Sequence, residues 1–167
     1  MSADIDETPV PGEAPEDYVL RMAVEKAAAV KVSEGAVIGS DTVVVLSGNV
    51  LQKPVSAEDA RRMLCSLSGQ NHLVMTAVAI RVNRELRTTV STTKVTFAAL
   101  EKSLIDTYLT TDEPWDKAGA YGIQGLAGSF VSSIEGSYSS VVGLPLYETR
   151  ELLAAAGINT KLSDAGA

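Results

Sequence analysis

The stretch Ala36–Leu46, AVIGSDTVVVL, decides how the rest of the chain reads. Apolar and β-branched residues lie on both sides of a polar insert, Ser40-Asp41-Thr42, so the segment reads as a buried strand. Ser47-Gly48-Asn49 turns it into a short partner at Val50-Leu51. Upstream, Pro15-Glu16-Asp17 opens a helix, with proline near the first position and carboxylates at the positive end of the dipole. Val19, Met22, Ala23, Lys26, Ala27 and Val30 repeat at helical spacing and carry that helix to about Val30. Downstream, Ser56-Ala57-Glu58-Asp59 resembles a capping box ahead of a helix over Ala57–Leu67, which Ser68-Gly69 stops.

Two long strands follow, Leu73–Val82 and Leu86–Ala98, and then a short helix over Glu101–Leu109 that the Asp112-Glu113-Pro114 turn halts. Asp116–Gly128, DKAGAYGIQGLAG, holds four glycines in thirteen residues. Beyond it the chain reads as a strand over Phe130–Ile134, a loop over Glu135–Ser140 and a last helix over Leu144–Ala156. Helices interleave with long strands, so the fold class is α/β, or α+β around a mixed sheet. We expect one domain over residues 1–158 and a polar tail over 159–167.

With 167 residues, 46% of them hydrophobic, the chain can bury a sizeable core. Fourteen Lys and Arg against twenty-one Asp and Glu leave a net charge of −7, which disfavours DNA, RNA and anionic membrane as general partners. A small polyanion still fits wherever a few cations converge in one cleft. The single Cys65 and single His72 exclude an internal disulfide and a His/Cys zinc centre. The acidic start MSADIDETPV has no apolar signal region, and no apolar run approaches the roughly 18 residues of a membrane span, so a cytoplasmic location is expected.

Asp41 is the first candidate for chemistry, because a carboxylate in an otherwise apolar strand costs several kcal/mol to bury unless it is paired or binds a cation. Lys53 precedes Pro54, whose fixed backbone would hold the amine toward a phosphate; otherwise Lys53 is a solvated turn lysine. Lys26 falls on the apolar face of the first helix, where it either snorkels or reaches a cleft. The glycine-rich segment suggests a close approach of backbone to a ligand, although it is neither a P-loop nor a dinucleotide fingerprint. Within it, the Gln124 amide offers a donor beside an acceptor, the complement of a pyrimidine's N3–H and adjacent carbonyl, or else it braces its own loop. His72 reads as structural or exposed, Cys65 as helix packing, and Met22, Met63 and Met75 as core filler.

In chain order, Asp6-Glu7, Tyr18…Lys26-Ala27, Ile38–Val44, Lys53-Pro54, Leu67-Ser68-Gly69, Met75–Val78, Asp116–Gly125, Gly136-Ser137-Tyr138 and Val142–Leu146 together resemble the Maf family. This is the septum-formation-protein group of nucleoside triphosphate pyrophosphatases. The resemblance implies an ITPase-like, elongated mixed sheet flanked by helices, with a central nucleotide cleft. It implies metal-dependent hydrolysis of a nucleoside triphosphate to monophosphate and pyrophosphate, a housecleaning role. By the same likeness Asp41 is the proton acceptor that activates water, and Lys53 acts with it in catalysis. Glu7 and Asp41 would hold a divalent cation, Mg or Mn, while Lys26 and Lys117 face phosphate oxygens. Asp41-Thr42 and Ile123–Gly125 resemble the subgroup that prefers dTTP and UTP, which makes Thr42 and Gln124 substrate-binding residues. The rival preference is methylated GTP. A homodimer is a further expectation of the likeness.

Family members usually open with a strand and a Ser-Pro-Arg-Arg-like phosphate loop, and no such segment occurs in this sequence. Relative to the family the chain therefore reads as N-terminally truncated, through a misplaced start, a truncation or a real loss. The alternative that follows is a catalytically impaired protein that binds nucleotides or regulates cell division.

Overall fold

The computed structural model describes residues 5–32 and 35–161. Among the described residues, five α-helices flank one five-stranded sheet of order β2-β1-β3-β4-β5. In chain order the elements are α1 (Pro15–Ala29), β1 (Ala36–Leu46), β2 (Asn49–Leu51), α2 (Ala57–Leu67), β3 (Asn71–Val82) and β4 (Glu85–Phe97). α3 (Lys102–Tyr108), β5 (Val131–Glu135), α4 (Tyr138–Val142) and α5 (Leu146–Ala155) complete the fold. Most of the expected tail, residues 162–167, lies outside the described residues.

The helices begin where side-chain chemistry says they should. Pro15 starts α1, and Ser56 caps α2 by accepting from the Asp59 amide at 3.1 Å, a contact worth about 1 kcal/mol. The sheet differs from the mixed one expected, because all four strand pairings are antiparallel. The β2 hairpin reverses the chain before α2 carries it back, so β3 returns antiparallel to β1 instead of parallel. Two further differences lie near the C-terminus. The expected loop over Glu135–Ser140 contains the start of α4, nucleated when Ser137 accepts from the Ser140 amide at 3.2 Å. Leu144 lies outside α5 because the following Pro145 disfavours helical backbone there.

Each face of the sheet has its own core. Against one face α1 packs Tyr18, Val19, Met22, Ala23 and Ala27 onto Val37, Val43, Val45, Ala77 and Ala79. On the other, α2, α3 and the chain from the glycine-rich segment to Phe130 bring Leu64, Leu67, Ile105, Tyr108, Tyr121 and Phe130 onto Val44, Val74, Val95 and Phe97. Cys65 does not take part in packing as expected; it is exposed, and Ala60, Leu64 and Leu67 form the buried stripe of α2. Among the described residues no helix is long and apolar enough to cross a membrane.

Candidate functional site

The alternation of β1 sends successive side chains to opposite faces. Asp41, in phase with Val43 and Val45, faces α1, and Thr42, in phase with Val44, faces the second core and α4. Gly39 makes the first arrangement possible. A Cβ there would lie 2.2 Å from the Ala23 carbonyl oxygen and 2.6 Å from the Ala27 amide nitrogen, so α1 rests on bare strand backbone. This close seat brings Lys26, from the last turn of α1, within 2.5 Å of Asp41 Oδ1.

The Lys26 ammonium is shared with Glu7, whose Oε1 is 2.9 Å away. Glu7 comes from the irregular lead-in and is held there by the Tyr18 hydroxyl, which donates to its carbonyl oxygen at 2.8 Å. Lys53 approaches the same carboxylate, with Nζ 3.5 Å from Glu7 Oε2. Burial pushes the Asp41 carboxyl above its ordinary value, against the opposing pull of Lys26. The hydrogen bond from Lys26 holds Glu7 below the usual carboxylate range. Burial opposes the charge on Lys26, but hydrogen bonds to Asp41 and Glu7 outweigh it and raise that amine. The result is a carboxylate more basic than an ordinary aspartate, set among cations.

A cavity of about 480 Å³ opens beside this cluster, within the range of small-molecule sites. Gln124, Lys117, Tyr121 and Val141 line it, and Thr42, Lys53 and Ala118 line both the cavity and the small pocket around Glu7 and Asp41. The structure thus brings together Glu7, Lys26, Asp41 and Lys53. It sets Gln124 and Lys117 in the adjoining space, with Thr42 and Lys53 at the join. Lys117 pairs with its neighbour Asp116 at 2.7 Å and is half exposed.

Two residues escaped the sequence reading. Glu113, there assigned only to a turn, accepts from the amides of Leu126 at 2.7 Å and Ala127 at 3.1 Å and from the Tyr108 hydroxyl at 2.9 Å. Burial opposes its charge, yet these donors keep its carboxyl below the ordinary range. A Cβ on Gly125 would lie 2.2 Å from Glu113 Oε2, so at that glycine the group close to the backbone is the chain's own carboxylate. The second is Tyr121, whose hydroxyl lies 2.7 Å from Nε2 of buried His72. Burial lowers the His72 pKa to about 4, which leaves the imidazole neutral at physiological pH.

Among the described residues no three His, Cys, Asp or Glu side chains gather as a metal site. Glu7 and Asp41 instead converge as a pair on Lys26. Two carboxylates suit a hard divalent cation that keeps waters and takes its remaining oxygens from a phosphate ligand, and they do not make an all-protein cage.

The profile of the Maf-like protein family matches residues 1–156. A dTTP/UTP pyrophosphatase of Shewanella sp. (strain MR-7) is 55% identical over 163 residues, 95% of this chain and 84% of that protein. A protein of the same name from Pseudoalteromonas atlantica is 53% identical over 160 residues, 92% of this chain and 83% of the relative. Another, from Anaeromyxobacter dehalogenans, is 55% identical over 160 residues, covering 93% and 81% respectively.

Proposed function

The chain belongs to the Maf family, and we propose that it hydrolyses dTTP and UTP to the nucleoside monophosphate and pyrophosphate. One observation carries the reading: the paired carboxylates and lysines of Glu7, Lys26, Asp41 and Lys53 adjoin a nucleotide-sized cavity that has Gln124 on its wall. The names of the relatives supply the substrate pair.

In this reading Asp41 is the general base. Its raised proton affinity and its partial burial suit it to take a proton from water as the water oxygen attacks the α-phosphorus. The bond from the α-phosphorus to the bridging oxygen then breaks, and pyrophosphate leaves with that oxygen. Lys26, Lys53 and Lys117 stabilise the charge growing on the leaving phosphates by position alone. Glu7 and Asp41 would hold a Mg or Mn ion, which supplies charge neutralisation at the phosphate oxygens when bound. The Gln124 amide and the Thr42 hydroxyl meet the base. Glu113 already holds the amides of Leu126 and Ala127 in the glycine-rich segment, so in this reading the phosphates face the lysines and the base faces Gln124 and Thr42.

The test is a substrate panel of dTTP, UTP, methylated GTP and ATP, each with Mg²⁺ or Mn²⁺. Pyrophosphate release from dTTP and UTP ahead of the purines supports the reading. Nucleotide binding by calorimetry without any release would replace it with the non-catalytic alternative.

A further inference from the structure

The sheet face beneath α4 carries a row of hydroxyls. Thr42 on β1, Thr76 on β3 and Ser91 on β4 stand abreast in strand register. Thr76 is fully buried, and its Oγ1 lies 2.7 Å from the carbonyl oxygen of Ser140 in α4. A carbonyl only accepts, so the one hydroxyl proton of Thr76 is committed to it. Thr42 Oγ1 lies 2.9 Å from Thr76 Oγ1. With the Thr76 proton already engaged, this contact is a hydrogen bond only when Thr42 donates. The reverse sets lone pair against lone pair at a buried oxygen and leaves an acceptor unpaired. Thr42 also lines the large cavity. Its proton points back into the sheet, and the cavity meets its lone pairs alone.

We infer that Thr76, anchored on the Ser140 carbonyl, makes Thr42 a one-way reader that accepts a hydrogen bond from a ligand and cannot donate one, favouring a base with an N3–H over one with a bare N3. The inference rests on the proposed pyrimidine-nucleotide function and deepens it. Uracil and thymine carry a proton on N3, whereas cytosine presents an acceptor there on the same ring outline. Gln124 alone does not separate the two, because an amide that turns over offers its donor and acceptor in either order. A hydroxyl of fixed polarity does separate them. Thr76 itself touches no substrate; it is a positioning residue that acts through Thr42.

The experiment compares the full chain with Thr76→Val and Thr76→Ser variants. Readouts are kcat/KM for UTP and CTP, and equilibrium binding of UMP and CMP, which needs no turnover. In Thr76→Val the Thr42 proton is released to serve either base. The UTP/CTP and UMP/CMP ratios should then fall roughly tenfold, chiefly through a gain for cytosine, while Thr76→Ser keeps both. If Thr76→Val fails to fold by circular dichroism, Thr76→Cys, whose thiol is a weak acceptor, is read in the same way. A folded variant with unchanged ratios overturns the inference and leaves the proposed function standing. A wild-type protein that neither releases pyrophosphate from UTP nor binds UMP overturns both.

Discussion

Asp41 and Glu113 show two ways for a carboxylate to persist in this protein. Asp41 is half-buried in a strand, is paired with Lys26 at 2.5 Å, and has its proton affinity raised by burial. Replacing it with Asn keeps the shape and removes the proposed base. Asp41→Asn should lower kcat on UTP at least about a hundredfold while the protein still folds cooperatively. An unaffected kcat in steady-state assays removes Asp41 from the mechanism. Glu113 is instead held by two amides and a tyrosine hydroxyl. In Glu113→Gln the side-chain NH₂ must face a donor that the carboxylate satisfied, a loss of about 1–3 kcal/mol readable in urea unfolding. Because the same group shapes the cavity wall, KM for UTP should rise more than kcat falls.

At the scale of elements, the seat of α1 on β1 governs the site. Gly39→Ala drives a methyl into the Ala23 carbonyl and the Ala27 amide, both backbone atoms that cannot rotate aside. α1 must lift, and overpacking of this kind costs about 1–3 kcal/mol. Lys26 lifts with it, so we expect a lower melting temperature together with a fall in kcat. Stability lost with kcat unchanged would mean that the Lys26–Asp41 contact is incidental to turnover. Much of this element-level picture is legible in the chain. Ser56 announces α2, Pro15 announces α1, and Asp41 draws attention because an apolar strand has no other use for an acid. What stays hidden is set by tertiary contact. Glu113 is thirteen residues from Leu126, Thr42 is thirty-four from Thr76, and neither pair carries a local signal. α4 is hidden for another reason, since its five residues are too few for a periodic pattern.

Across the whole molecule, the core on the glycine-rich side contains a titratable group whose burial links pH to stability. His72 is 2% exposed, with edge-on contacts to Phe97 and Tyr121, and its pKa is lowered from 6.5 to about 4. Above pH 6.5 the imidazole is neutral in both folded and unfolded chains and contributes no pH dependence. Between 6.5 and about 4 the unfolded chain binds a proton that the folded chain refuses, so stability falls as pH falls. The loss should reach as much as about 3 kcal/mol at the lower limit. Urea unfolding of wild type and His72→Gln across this window should converge toward pH 4, and parallel curves would contradict the assignment. The acidic surface, with a net charge of −7, is compatible with a polyanionic substrate because the lysines gather in one cleft. The central claim is that this cleft cleaves UTP between the α- and β-phosphates by attack at the α-phosphorus. Turnover of UTP in ¹⁸O-labelled water with Mg²⁺ tests it most directly. The account predicts UMP carrying the label and unlabelled pyrophosphate, whereas no turnover, release of UDP and phosphate, or label in pyrophosphate would contradict it.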